Sequence, residues 1–122
     1  MTQRASFRQR GYGTTWDKLS RLYRQEHPLC VGCTALGIVE PASVVDHVVP
    51  PKGDHTKLFD QENLQSSCAW HHDVIKQRLE QLWARGALAT EQLRLDSPKA
   101  ISLARAIPRK TRGVDVNGWP IP

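Results

Sequence analysis

Four residues fall into two pairs with matching gaps, Cys30-x-x-Cys33 and Cys68-x-x-His71, separated by the 34 residues from Thr34 to Ser67. A two-residue gap lets one tight turn present both donors to a single ion, and three thiolates with one imidazole suit a closed tetrahedral zinc site. Any fold compatible with this pattern must bring the two pairs together, so the chain between them is a stapled loop. His72 follows His71 directly, and a small change in where the next helix starts would exchange them. The fourth ligand is therefore open between the two, with His71 in register. A site with four protein donors keeps no position for water, so this ion is expected to hold the fold and do no chemistry.

The chain has use for such a staple. Its 122 residues suit one domain, but only 39% are hydrophobic, and several of these lie in Pro- and Gly-rich stretches, so the apolar core is expected to be modest. Three cysteines are an odd number, which metal binding explains better than a disulfide framework. No run of about 18 apolar residues occurs, which excludes a membrane-spanning helix. The polar start Met1-Thr2-Gln3-Arg4 lacks the apolar segment of a secretory leader, so a cytoplasmic protein is expected. A formal charge of +5 and a pI near 9.5 favour a polyanionic partner, because each phosphate neutralised by Lys or Arg releases counterions.

Residues 1–13 are Arg-rich with an Arg10-Gly11-Tyr12-Gly13 turn signal and no hydrophobic period, which reads as a mobile basic arm. Thr14 or Thr15 can cap a helix to about Glu26, with Trp16, Leu19, Leu22 and Tyr23 on one face, ended by His27-Pro28. The β-branched run Ser43 to Val49 reads as a strand stopped by Pro50-Pro51, and a second strand before Cys68 is poorly marked. From Ala69 to Arg85 the positions Val74, Ile75, Leu79, Leu82 and Trp83 give helical spacing, with Gly86 as the stop. A short helical piece over 90–95 and a helix from Ser97-Pro98 to about Ala106 follow, and residues 108–122 read as an irregular tail. The whole is expected to be one small α+β domain over 14–107, with helices flanking its centre.

Between the two metal half-sites lies Val45-Asp46-His47-Val48-Val49-Pro50, followed by Asn63-Leu64-Gln65 and then Cys68-Ala69-Trp70-His71-His72. In this order the chain resembles the HNH endonuclease family, over about residues 28–76. The closing Asp115-x-Asn117-Gly118-Trp119-Pro120 is similar to phage-encoded members. The resemblance implies a ββα-metal hairpin and helix, DNA as substrate and one Mg²⁺ or Mn²⁺ for catalysis. It makes His47 the general base, Asn63 the brace of the catalytic loop, and Asp46 with His72 the protein ligands of the catalytic ion. His71 departs from the family, where the fourth zinc ligand is usually cysteine.

The residue types make independent sense for phosphodiester hydrolysis, which needs an activated water and neutralisation of transition-state charge. An imidazole takes a proton near neutral pH. One carboxylate and one imidazole leave most of a hard ion's coordination sphere open to phosphate oxygens and water. Adjacent strand residues point to opposite faces, so Asp46 and His47 imply a distorted hairpin if they serve one phosphate. An amide at Asn63 suits such bracing by hydrogen bonds.

Arg8, Arg10, Arg21, Lys76, Arg109 and Lys110 are the candidate phosphate contacts. Two other classes fit the same residues. One is a non-catalytic zinc-stabilised nucleic-acid-binding module. The other, implied by phage-type relatives, is an adaptor beside terminase subunits in DNA packaging, placed in the host cytoplasm. A monomer or weak dimer is expected.

Overall fold

The computed structural model describes residues 13–109 and 114–115. In chain order they form α1 (Gly13–Glu26), α2 (Val31–Ala35), β1 (Ile38–Val39), β2 (Val44–His47), α3 (His55–Phe59), a 3₁₀ turn (Gln61–Asn63) and β3 (Leu64–Ser67). A π-helical turn (His71–Lys76) then runs into α4 (Gln77–Ala84), followed by a second 3₁₀ turn (Thr90–Leu93), α5 (Pro98–Ala106) and β4 (Val114–Asp115). The class is α+β, as expected: β2 and β3 make an antiparallel hairpin that leads through Cys68 into the π-turn and α4. No described helix is long and apolar enough to cross a membrane.

Helix α1 begins at Gly13, so Thr14 and Thr15 lie inside its first turn rather than before it. Trp16, Leu19, Ser20 and Tyr23 are half-buried, at the spacing that aligns them on one helix face. Leu22 is 48% exposed and does not join them. Six residues past Trp16, it is rotated by about 240° at about 100° per residue, away from the packed side. The Tyr23 hydroxyl donates to the Leu64 carbonyl at 3.0 Å, tying α1 to β3.

The β2–β3 ladder runs in unbroken register, Val44 opposite Ser67, Val45 opposite Ser66, Asp46 opposite Gln65 and His47 opposite Leu64. No bulge separates Asp46 from His47 in this ladder, and the two side chains meet different partners. All four residues of β3 are buried although three are polar. Their groups are satisfied: Gln65 bonds Asp46 and the Leu95 N–H, Ser66 donates to the His27 carbonyl, and Ser67 donates to the Cys68 carbonyl. A strand filled this way carries no hydrophobic alternation, which is why it is faint in the sequence.

The core gathers Val48, Ile75, Leu79, Leu93, Leu95 and Ala100, and a second cluster surrounds Cys30, Cys33, Ile38 and Cys68. Trp70 packs against both and joins them. Gly86 ends the α4 segment with φ +73, a left-handed conformation that glycine adopts without steric cost. Ser97 caps α5 by accepting from the Ala100 N–H at 3.1 Å, with Pro98 in the first turn. The tail expected to be irregular contains β4, whose Val114 and Asp115 pair with Val39 and Ile38. Short β1 offers an edge that local sequence alone cannot show to be filled.

Candidate metal and catalytic centre

Cys30, Cys33, Cys68 and His71 are all buried, and their ligand atoms lie within 4.8 Å of one another. The Cys33 and Cys68 sulfurs are 3.8 Å apart, and each is 3.5 Å from His71 Nδ1. A tetrahedral ion with metal–sulfur bonds of about 2.3 Å and a metal–nitrogen bond of about 2.0 Å requires edges of roughly 3.8 and 3.5 Å. The donors therefore fit a metal ion. Two backbone N–H groups, Cys33 to Cys30 Sγ and His71 to Cys68 Sγ, each at 3.4 Å, hold the sulfurs in knuckle turns. Of the two histidines, it is His71 whose ring is positioned as the fourth donor beside the three sulfurs.

Three sulfurs this close cannot all keep or all lose their protons independently. Hydrogen bonds from Cys33 and then Cys68 hold the Cys30 thiol down to about 3. Cys33 is pushed up by its contacts with Cys30 and then Cys68. Cys30 pushes Cys68 up, but hydrogen bonds from Cys33 and His71 outweigh it and leave Cys68 lowered. Beyond the ligands, Cys33 Sγ donates to Glu40 Oε2 at 3.0 Å, and Arg109 reaches both Cys33 Sγ at 3.5 Å and Glu40 at 2.7 Å. The Arg109 guanidinium also lies over the Trp70 ring, 4.6 Å from its centroid. Gly32 completes the cluster by what it lacks: a Cβ there would overlap the His71 ring.

A second constellation forms where β2 meets the π-turn. Asp46 is buried, and its Oδ2 accepts from Gln65 Nε2 and from Lys76 Nζ, both at 3.0 Å. Its other oxygen, Oδ1, faces His72 Nε2 at 3.7 Å, while His72 Nδ1 is 2.9 Å from Asp73 Oδ1. The tautomer that places the ring hydrogen on Nδ1, toward Asp73, leaves the Nε2 lone pair free on the side of Asp46. Two donors 3.7 Å apart can be spanned by an ion that holds each at about 2.1 Å.

His47, one residue on, is held from the other side. Its ring stacks on Trp16 with centroids 4.6 Å apart and planes 26° from parallel, and Nε2 lies 2.9 Å from the Leu58 carbonyl. Asn63 clamps the loop after β2: Oδ1 accepts from the Val49 N–H at 2.9 Å, and Nδ2 donates to the Val49 and Lys57 carbonyls at 2.9 and 3.1 Å. Gln65 lies in the Asn63-Leu64-Gln65 element of the resemblance without an assigned role, and Trp16 and Lys76 have no sequence signal as parts of this centre. Trp16 shows in the sequence only as an aromatic in helical phase, and Lys76 only as a basic residue.

Two candidate phosphate contacts are corrected. Lys76 is 1% exposed and engaged with Asp46, and the Arg109 side chain is 5% exposed and engaged with Glu40. Both were read as surface charges, but each meets a carboxylate that lies far away in sequence. Arg21 is exposed and, with Arg24, Trp16, Asp17, Ser20 and residues 43–45, lines an open cleft of about 490 Å³ between α1 and β2. Arg8, Arg10 and Lys110 lie outside the described residues.

No family model matches the chain, and no curated protein matches it. Among solved structures it is similar to the HNH endonuclease of the deep-sea thermophilic bacteriophage GVE2, crystallised with manganese ion. The two are 27% identical over 57% of this chain and 74% of that one, with a TM-score of 0.47.

Proposed function

We propose that this protein is a metal-dependent endonuclease that hydrolyses phosphodiester bonds in DNA, with Cys30, Cys33, Cys68 and His71 holding a structural zinc. The observation that carries the reading is the paired aim of Asp46 Oδ1 and His72 Nε2 across 3.7 Å, one strand position before a histidine fixed at both its ring face and one nitrogen. Asp46 and His72 would hold one Mg²⁺ or Mn²⁺, which supplies charge neutralisation at the scissile phosphate and the leaving 3′ oxygen.

The chain's own groups supply the proton chemistry. With Nε2–H donating to the Leu58 carbonyl, neutral His47 keeps Nδ1 as its basic nitrogen. The attacking water gives its proton to that Nδ1 as its oxygen bonds to phosphorus and the phosphorus–O3′ bond breaks. Asn63 keeps the Val49 backbone fixed, and so the strand end that carries His47. Arg21 contributes a phosphate contact from the cleft beside Trp16, and Arg8, Arg10 and Lys110 are proposed as further contacts on charge alone.

Plasmid nicking with Mg²⁺ or Mn²⁺ tests the reading. Wild-type protein should nick, and His47→Ala should lose at least about 100-fold in rate, the usual contribution of a positioned base, while zinc content stays at one per chain. Undiminished cleavage by His47→Ala removes it as the base. A second reading, a non-catalytic zinc-stabilised nucleic-acid-binding module or terminase adaptor, draws on the Lys76 ammonium that already pairs with Asp46. It requires DNA or terminase binding that survives His47→Ala, and no metal-dependent cleavage by the wild type.

A further inference from the structure

Lys76 is among the most deeply buried side chains of the molecule, with 1% of its surface exposed. Its ammonium donates to three acceptors: Asp46 Oδ2 at 3.0 Å, Glu80 Oε2 at 3.0 Å and the backbone carbonyl of His47 at 2.6 Å. Gln65 Nε2 donates to the same Asp46 oxygen at 3.0 Å. With two donors on Oδ2, the carboxylate cannot rotate without breaking both bonds, and Oδ1 is left as the oxygen that faces His72. The contact with the His47 carbonyl ties the peptide of the neighbouring residue to the same point.

Stability alone does not account for a lysine here. A buried ion pair stabilises little compared with apolar side chains of the same volume, because desolvating both charges offsets their attraction. The local backbone is also unusual: Lys76 closes a π-helical turn that starts at His71. Such turns are rare and recur at functional sites. The wider turn places His71 in the cysteine cluster, His72 opposite Asp46 Oδ1 and Lys76 on Asp46 Oδ2 within a six-residue segment.

We infer that Lys76 is a positioning residue, an internal cation that presents one chosen oxygen of Asp46 to the activating ion and holds the end of β2 against the π-turn. The inference rests on the reading of Asp46 and His72 as ligands of that ion. Lys76 acts through the groups it holds, the Asp46 carboxylate and the His47 carbonyl.

Mn²⁺ titration followed by electron paramagnetic resonance on the zinc-loaded protein reads the effect without turnover, and nicking kinetics read it with turnover. The wild type should hold one Mn²⁺ that His72→Ala abolishes; if His72→Ala leaves Mn²⁺ binding intact, the ligand reading fails and the inference with it. With that binding established, Lys76→Met should keep its zinc and weaken Mn²⁺ about 10- to 100-fold, the range expected when a ligand's supporting partner is removed. Its kcat should fall while KM for DNA stays within about twofold, and Lys76→Arg should restore part of kcat. Mn²⁺ affinity and kcat at wild-type values in a folded Lys76→Met overturn the inference and leave the ligand reading standing. If Lys76→Met fails to retain zinc, Lys76→Arg carries the test: at least threefold weaker Mn²⁺ binding supports the inference, and unchanged binding with unchanged kcat overturns it.

Discussion

Single atoms decide the two centres. Gly32 has no side chain, and that is what admits the His71 ring beside the cysteines. Gly32→Ala should therefore cost the site its fourth donor. Metal content by elemental analysis should drop well below one per chain, and the protein should melt lower than wild type, whereas retention of a full zinc equivalent would show that the backbone yields instead. The residues that define the cluster were legible because their spacing is local, two residues apart within each pair. Asn63 is expected as a brace from the family resemblance, and its amide makes three hydrogen bonds, to the Val49 N–H and carbonyl and to the Lys57 carbonyl. Lys76 and Arg109 look like surface cations in the sequence because Asp46 and Glu40, the carboxylates that draw them inward, lie 30 and 69 positions away; the nearby Glu80 fits a surface i,i+4 pair with Lys76 equally well.

Elements carry the next level of decision. The hairpin's first strand announces itself by β-branched residues, and its second hides because Gln65, Ser66 and Ser67 are polar yet satisfied by partners outside the strand. Helix α1 is bound to that strand through Tyr23, whose phenol is pushed above its ordinary value of 10.0 by burial, with Arg94 pulling partly the other way. A folded-state value raised above the unfolded one means the contribution is complete below pH about 10 and fades as pH climbs through the higher folded value. Denaturant stability should accordingly fall above pH 10 more steeply in wild type than in Tyr23→Phe, and identical slopes would remove Tyr23 from the account. The π-turn leaves no mark of its own in the sequence, since the spacing of Val74, Ile75, Leu79 and Trp83 satisfies α-helix and π-helix alike over one turn.

At the scale of the molecule, two modest clusters share Trp70, and one of them is built around the cysteines. Removing the metal should therefore do more than empty a site. Treatment with a strong zinc chelator is expected to lower the melting temperature by at least about 10 °C and to loosen the β2–β3 hairpin, followed by hydrogen exchange at Leu64 to Ser67, because a structural ion's binding energy is folding energy. A chelated protein with unchanged melting would mean the apolar core suffices alone. Arg109 extends the same dependence toward the C-terminal end, since it reaches Cys33 from 76 positions away.

From the sequence alone come the metal pairs, the helix boundaries set by His27-Pro28, Gly86 and Ser97-Pro98, and the order of the Asp46, His47, Asn63 and His72 elements, because each of these depends on residues only a few positions apart. Tertiary structure alone decided that His71 and not His72 joins the cysteines, that Asp46 shares its carboxylate between Lys76, Gln65 and His72, and that His47 is pinned between Trp16 and Leu58. The physical reason is the same in each case. A polar group can be buried only where a partner meets it, and those partners come from segments that the chain brings together only when it folds.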